Sequence, residues 1–177
     1  TNYLNSQKTN FDYDLHIINS ALYQNNSISS TVIRKYIENG DIRRANDCLG
    51  KNYELSGNIV KGEGIGTQIG FPTINIEPLS SDQIIPLNGV YFVDVFIDNL
   101  AYVGMCNIGT RPTFYEDGKQ KIEVHLLNDQ IPIMNKKSVK ICFQKYLRAE
   151  KKYDSSQDLI IQLNVDKNQC MNMKNTN

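Results

Sequence analysis

Hydrophobic positions follow two rhythms along this chain, a period of two through the middle and a helical period towards both ends. Tyr53-Glu54-Leu55-Ser56-Gly57-Asn58-Ile59-Val60 alternates as a half-buried strand does. Gly89-Val90-Tyr91-Phe92-Val93-Asp94-Val95-Phe96-Ile97 is a second run, rich in β-branched and aromatic residues. Asp98-Asn99 makes a short hairpin turn into a third run at 101–109, and residues 121–127 and 138–143 read as further strands. No helical pattern separates these runs, so the fold class is mainly β, an antiparallel sandwich or, by preference, a small closed barrel. Helical spacing returns after Asp154-Ser155-Ser156, with Leu159, Ile160 and Leu163 on one face of a single C-terminal helix.

The first section has a different texture. Residues 14–18 alternate like one isolated strand. Ser29 or Ser30 N-caps a helix whose Ile33, Tyr36 and Ile37 share a face. Asn39-Gly40-Asp41 ends it and opens a second helix over 42–49, closed by Gly50. A strand and two short helices are too little for an independent core. The expected organisation is a short α/β section at 1–49, a barrel with its helix at 50–168 and a disordered tail at 169–177.

Composition narrows the function classes. The 177 residues are 40% hydrophobic and 21% charged, which is ordinary globular material. Lys+Arg and Asp+Glu are equal at 19 each, so no net field draws in nucleic acid or an anionic membrane. No apolar run reaches the length of a membrane span, and the polar start is not a signal peptide. The chain begins without Met, as a fragment or processed form does. Cys48, Cys106, Cys142 and Cys170 are scattered and form no C-x-x-C, which argues against zinc and for free thiols in a reducing cytoplasm.

The candidate chemistry starts at Gly62-Glu63-Gly64-Ile65-Gly66-Thr67-Gln68-Ile69-Gly70-Phe71-Pro72-Thr73-Ile74-Asn75. Four glycines in nine residues expose backbone N–H groups. On an extended backbone Thr73 and Asn75 point to one face. Amides beside two neutral oxygen donors suit a phosphate chain carrying a hard cation; a plain glycine hairpin is the alternative. Neither the Walker A loop nor G-x-G-x-x-G is matched, since Gly70-Phe71-Pro72 stands where Gly-Lys-Ser/Thr belongs.

Glu123 and His125 share one face of their strand, opposite Ile122, Val124 and Leu126. That face is either a solvated edge or the seat of a general base, for which Glu123 is preferred to His125. The turn Asn107-Ile108-Gly109-Thr110-Arg111-Pro112-Thr113-Phe114 offers amides and a guanidinium to a planar ligand, or is a surface hairpin loop. Residues 146–154 mix charge and aromatics as a solvated linker does, although Arg148 and Tyr153 there can close over a ring system.

In this order, the glycine stretch ending in Phe71-Pro72-Thr73-Ile74-Asn75, the Asn107 turn, Glu123-Val124-His125-Leu126-Leu127 and Arg148-Ala149-Glu150-Lys151-Lys152-Tyr153-Asp154-Ser155 resemble the riboflavin kinase family. The likeness is to the C-terminal half of bacterial bifunctional riboflavin kinase/FMN adenylyltransferases and covers residues 50–167. It implies a Greek-key β-barrel that transfers the γ-phosphoryl of ATP to the 5′-hydroxyl of riboflavin, giving FMN. It further implies that Thr73 and Asn75 hold Mg²⁺ and the ATP phosphates. Gly62, Gly64, Gly66 and Gly70 then form a flap over the nucleotide, and Glu123 takes the hydroxyl proton. Asn107, Gly109, Thr110 and Arg111, with Arg148 and Tyr153, border the flavin.

Residues 28–34 look like the last motif of the family's adenylyltransferase domain, so 1–49 is expected to be a remnant of that domain and to contact the rest of it. His16-Ile17-Ile18-Asn19 is not an H-x-G-H motif, and FAD synthesis is not expected of this chain alone. Ile65 stands where the flap often carries a basic residue, and Ile74 where the family usually has Ala, crowding the phosphates. Two alternatives follow: an inactive flavin- or nucleotide-binding module, and an oligonucleotide-binding barrel, the latter opposed by the charge balance.

Overall fold

The structure is a computed structural model describing residues 2–7, 11, 13–98, 100–110, 120–127 and 138–175. In chain order its elements are α1 (Asn2–Gln7), the two-residue strands β1 (Leu22–Tyr23) and β2 (Asn26–Ser27), α2 (Ser30–Glu38), α3 (Ile42–Leu49), β3 (Tyr53–Val60), α4 (Ile65–Gln68), β4 (Ile74–Pro78), β5 (Gly89–Ile97), β6 (Leu100–Thr110), β7 (Gln120–Leu126), β8 (Ser138–Arg148) and α5 (Ser156–Lys174).

Six strands close in the order β3-β4-β7-β6-β5-β8, every neighbour antiparallel. β5, β6 and β7 form a meander, and β8 returns to lie beside β5, the 4-1-2-3 order of a Greek key. The alternation read from sequence is what fills this barrel. Tyr91, Val93, Val95 and Ile97 of β5 pack with Ile122 and Val124 of β7 and with Ile141 and Phe143 of β8 in one cluster. β5 is also covered outside, where Val90 and Phe92 join Phe71, Met105, Leu127 and Cys170 under α5. This double burial explains the unbroken apolar stretch Val90-Tyr91-Phe92-Val93 at its start.

The first section is tied to the barrel. Ser29 caps α2 and Asp41 caps α3, while Gly50 ends α3 in the left-handed conformation. Ile42 enters the barrel cluster. Asn46 donates to the carbonyl of Phe143 (2.9 Å) and accepts from the amide of Tyr53 (2.7 Å).

Four expectations are corrected. Residues 14–18 are not a strand; Ile17 and Ile18 lie exposed with no sheet beside them among the described residues, and the pairing falls to β1 and β2. The glycine stretch contains one helical turn, α4. β8 continues past Phe143 to Arg148 because β5 supplies pairing partners along its whole length, so Tyr146 to Arg148 are strand rather than linker. The C-terminal helix does not stop at 168: it runs to Lys174, held by the burial of Cys170 and the packing of Met171 and Met173 on the outer cluster.

Candidate functional site

Strand register assembles the site. Asn75 lies opposite Glu123, and Glu123 opposite Asn107. Asn107 in turn lies opposite Val90, and Val90 opposite Arg148. One row therefore crosses five strands on the outside of the barrel, at the level where Ile74, Ile76, Ile122 and Val124 point inward. A cavity of about 340 Å³ opens over this row, within the range of small-molecule sites. The glycine loop walls one side of it, and Leu159 and Leu163 from the first turns of α5 wall another.

Several glycines are dictated by contact with the site. A Cβ on Gly62 would lie 1.9 Å from the Asn75 side-chain nitrogen, and one on Gly66 would lie 2.3 Å from the Phe71 carbonyl. The loop thus folds down onto the segment bearing Thr73 and Asn75. The Phe71-Pro72 step is fixed from the barrel side. His125, almost fully buried, holds the Pro72 carbonyl through Nδ1 at 2.9 Å and packs its ring 5.1 Å from that of Phe71. Because a carbonyl only accepts, Nδ1 carries the proton, and His125 braces the loop while Glu123 faces Asn75 and Asn107.

Four polar side chains shape the cavity's chemistry. The Oδ1 atom of Asn75 is buried without a hydrogen-bond partner among the described residues, and so is the Tyr153 hydroxyl. An orphaned buried acceptor is unfavourable by about 1–3 kcal/mol, and a bound cation removes the deficit. Thr73 and Asn75, both lining the cavity, therefore fit Mg²⁺ as a pair of neutral oxygen donors. Glu123 is half-buried and held by Lys121, whose Nζ is 2.7 Å from Oε1.

At the other end of the row, Arg148 grips Asp166 of α5. Its Nε lies 3.0 Å from both carboxylate oxygens and Nη2 2.6 Å from Oδ2. Burial opposes the charged guanidinium, but the hydrogen bonds and charge of Asp166 outweigh it and hold Arg148 above its usual range.

Of the residues anticipated from sequence, Gly64, Gly66, Thr73, Asn75, Asn107, Glu123, Arg148 and Tyr153 line the cavity together. Gly62 supports it through Asn75. Gly70 takes the left-handed turn before Phe71 and does not line it. Gly109 packs under the Glu150 carboxylate, and Thr110 is exposed at the end of β6; neither faces the cavity. Arg111 lies outside the described residues. Ile74 points into the barrel core, away from Asn75, so it does not crowd the site. Lys121, Met105, Leu159 and Asp166 were missed. Lys121 was within reach of sequence reasoning, two residues from Glu123 and hence on its face.

A closed Greek-key barrel thus gathers a glycine loop, two neutral oxygen donors and a carboxylate around one cavity. The riboflavin kinase family model matches residues 49–174, and the chain belongs to that family. It is 37% identical over 150 residues to a bifunctional riboflavin kinase/FMN adenylyltransferase of Bacillus subtilis (strain 168), covering 84% of this chain and 47% of that protein. The Escherichia coli (strain K12) protein of the same description is 32% identical over 163 residues, covering 90% of this chain and 51% of its own. The chain thus spans about half the length of the curated relatives it matches. A solved Streptococcus pneumoniae chain described as a macrolide-efflux protein superposes with a TM-score of 0.85 at 31% identity, over 95% of this chain and 54% of that one. What carries over from it is the architecture. Among the described residues no helix is long and apolar enough to cross a membrane.

Proposed function

We propose that this chain transfers the γ-phosphoryl of ATP to the 5′-hydroxyl of riboflavin, giving FMN. The observation that carries the reading is the placement of Glu123 between Asn75 and Asn107, with Thr73 at the same cavity. Phosphoryl transfer asks a protein mainly for positioning and charge neutralisation, with a base to orient the attacking hydroxyl. Glu123 accepts that hydroxyl's proton, and Lys121 holds its carboxylate in place meanwhile. Thr73 and Asn75 hold Mg²⁺, which when bound neutralises charge on the phosphate oxygens. The loop of Gly62, Gly64 and Gly66 covers the nucleotide and keeps water from taking the phosphoryl group. Arg148, Tyr153 and the apolar wall of Val90, Met105 and Leu163 receive the flavin ring.

The test is incubation of the chain with riboflavin, ATP and Mg²⁺, following FMN and then FAD. FMN is the expected product. Glu123→Gln should lower turnover by roughly 10²–10⁴ with ATP binding retained; near-normal turnover removes Glu123 from the mechanism. The reading as an inactive binding module is less well supported, because Thr73, Asn75 and Glu123 stand together at one cavity. It predicts flavin binding with no FMN formed.

A further inference from the structure

The Arg148–Asp166 pair is set at one end of the cavity, and the chemistry above does not use Asp166. The residue is 1% exposed. It accepts from Nε and Nη2 of Arg148, and Oδ1 also accepts from Gln162 Nε2, one helical turn back, at 2.9 Å. The Arg148 side chain is 23% exposed and lines the cavity. A guanidinium has five N–H donors. Nε, one on Nη2 and one on Nη1 (to the Ala149 carbonyl, 3.0 Å) are occupied. Two remain.

These two donors belong to a cation whose charge a buried carboxylate already balances. Such a pair offers hydrogen bonds to a neutral oxygen or nitrogen acceptor without drawing in an anion. Its place agrees. Arg148 lies three strands from Glu123 in the same row, about 14 Å along the sheet at 4.7–4.9 Å per strand. That is the reach of a tricyclic ring on a five-carbon chain whose terminal hydroxyl is at Glu123. The Tyr153 hydroxyl, buried and unpartnered among the described residues, lines the same cavity.

We propose that Asp166 is a positioning residue that fixes Arg148 as a charge-balanced donor to the uncharged flavin ring, and so prevents the site from holding the anionic product more tightly than the neutral substrate. The proposal rests on the kinase reading above. Riboflavin and FMN differ by a phosphate of about two negative charges. Without Asp166, an unbalanced guanidinium in the same cavity as that phosphate favours the product electrostatically. A carboxylate serving only to anchor α5 does not distinguish the two flavins.

The experiment measures riboflavin and FMN affinity of the full chain by flavin fluorescence, at low and high salt, for wild type, Asp166→Asn and the double variant Arg148→Met/Asp166→Leu. In Asp166→Asn, affinity for FMN relative to riboflavin should rise roughly three- to ten-fold, and the rise should shrink at high salt. In the double variant, which replaces the pair by apolar side chains, that ratio should return to the wild-type value while riboflavin binding weakens about ten-fold. Equal weakening of both flavins in Asp166→Asn, or a ratio unmoved by salt, overturns the proposal. If Asp166→Asn does not fold, a folded double variant with wild-type riboflavin affinity overturns it, and the ten-fold loss supports it. A wild type that makes FMN while the ratio stays fixed in Asp166→Asn defeats only this inference. A wild type that neither binds nor phosphorylates riboflavin defeats the kinase reading with it.

Discussion

The inside of the barrel and the outer face that carries the cavity are built from the same strands, yet they follow opposite rules. On β7, Ile122 and Val124 sit in the hydrocarbon interior at 1% and 0% exposure. Their neighbours Lys121, Glu123 and His125 face outward under the glycine loop and α5. The interior admits a polar group only where a partner satisfies it, as the Tyr91 hydroxyl donates to the Leu87 carbonyl. The outer face accepts Asn75, whose Oδ1 has no partner among the described residues, and a half-buried Glu123, which a folded core without a ligand has no use for. One face therefore supplies stability and the other stores polarity for a ligand. Adjacent residues on a single strand should separate the two by experiment.

The largest effect is expected inside. Ile122→Ala removes a fully buried side chain at the centre of the barrel cluster and should lower unfolding free energy by about 2–5 kcal/mol. The folded fraction should keep its kcat/KM. Its neighbour Glu123→Gln should do the reverse, losing turnover at unchanged Tm. Paired denaturant melts and kinetics well below the midpoint read both; a turnover loss in Ile122→Ala matching that of Glu123→Gln breaks the division.

The interior was legible in the sequence because alternation is a local signal: Tyr91, Val93 and Val95 announce one face of β5 wherever the strand ends up. Glu123 and Asn75 were legible for the same reason, as polar residues opposite an apolar face. Their meeting was not, since residues far apart in the chain are brought together by the β4–β7 register and by barrel closure. Arg148 looks like linker in the sequence because its strand continues only through pairing with β5. Asp166 left no signal: a charged residue in a helix is normally solvated, and only the packing of α5 on the outer cluster buries it. The isolated strand at 14–18 failed for the converse reason. Its alternation is real, but among the described residues no partner strand lies beside it.

A smaller effect tests the outer face without replacing a polar side chain. In Gly62→Ala the new methyl would overlap the Asn75 amide, 1.9 Å from its nitrogen, so the Asn75 side chain must move. Moving one side chain is cheap for stability and damaging for a metal-binding pair. Turnover should fall roughly ten- to a hundred-fold, about 1.4–2.7 kcal/mol of barrier, and saturation by Mg²⁺ should need more metal. Riboflavin affinity should stay within about two-fold, because the flavin end lies across the row at Arg148. A drop in riboflavin affinity with normal Mg²⁺ dependence reverses the assignment of the two ends.

The smallest effect is expected at Lys121, and it sharpens where the outer face stops behaving like a site and starts behaving like a surface. Lys121 and Glu123 are 2.7 Å apart with side chains 37% and 30% exposed. Solvent screening leaves such a pair worth about 0–1 kcal/mol, so Lys121→Met should shift unfolding free energy by less than about 1 kcal/mol. If the ammonium only holds the carboxylate in place, turnover should fall a few-fold, with KM for both substrates nearly unchanged. A rise in KM for ATP confined to Lys121→Met would instead make the lysine a phosphate ligand, a role the exposed Ile65 of the loop cannot fill. Raising salt separates the two. An ammonium that binds phosphate makes KM for ATP depend on ionic strength, so its replacement by Met should flatten that dependence relative to wild type, whereas an ammonium that only steadies Glu123 leaves the dependence as it was.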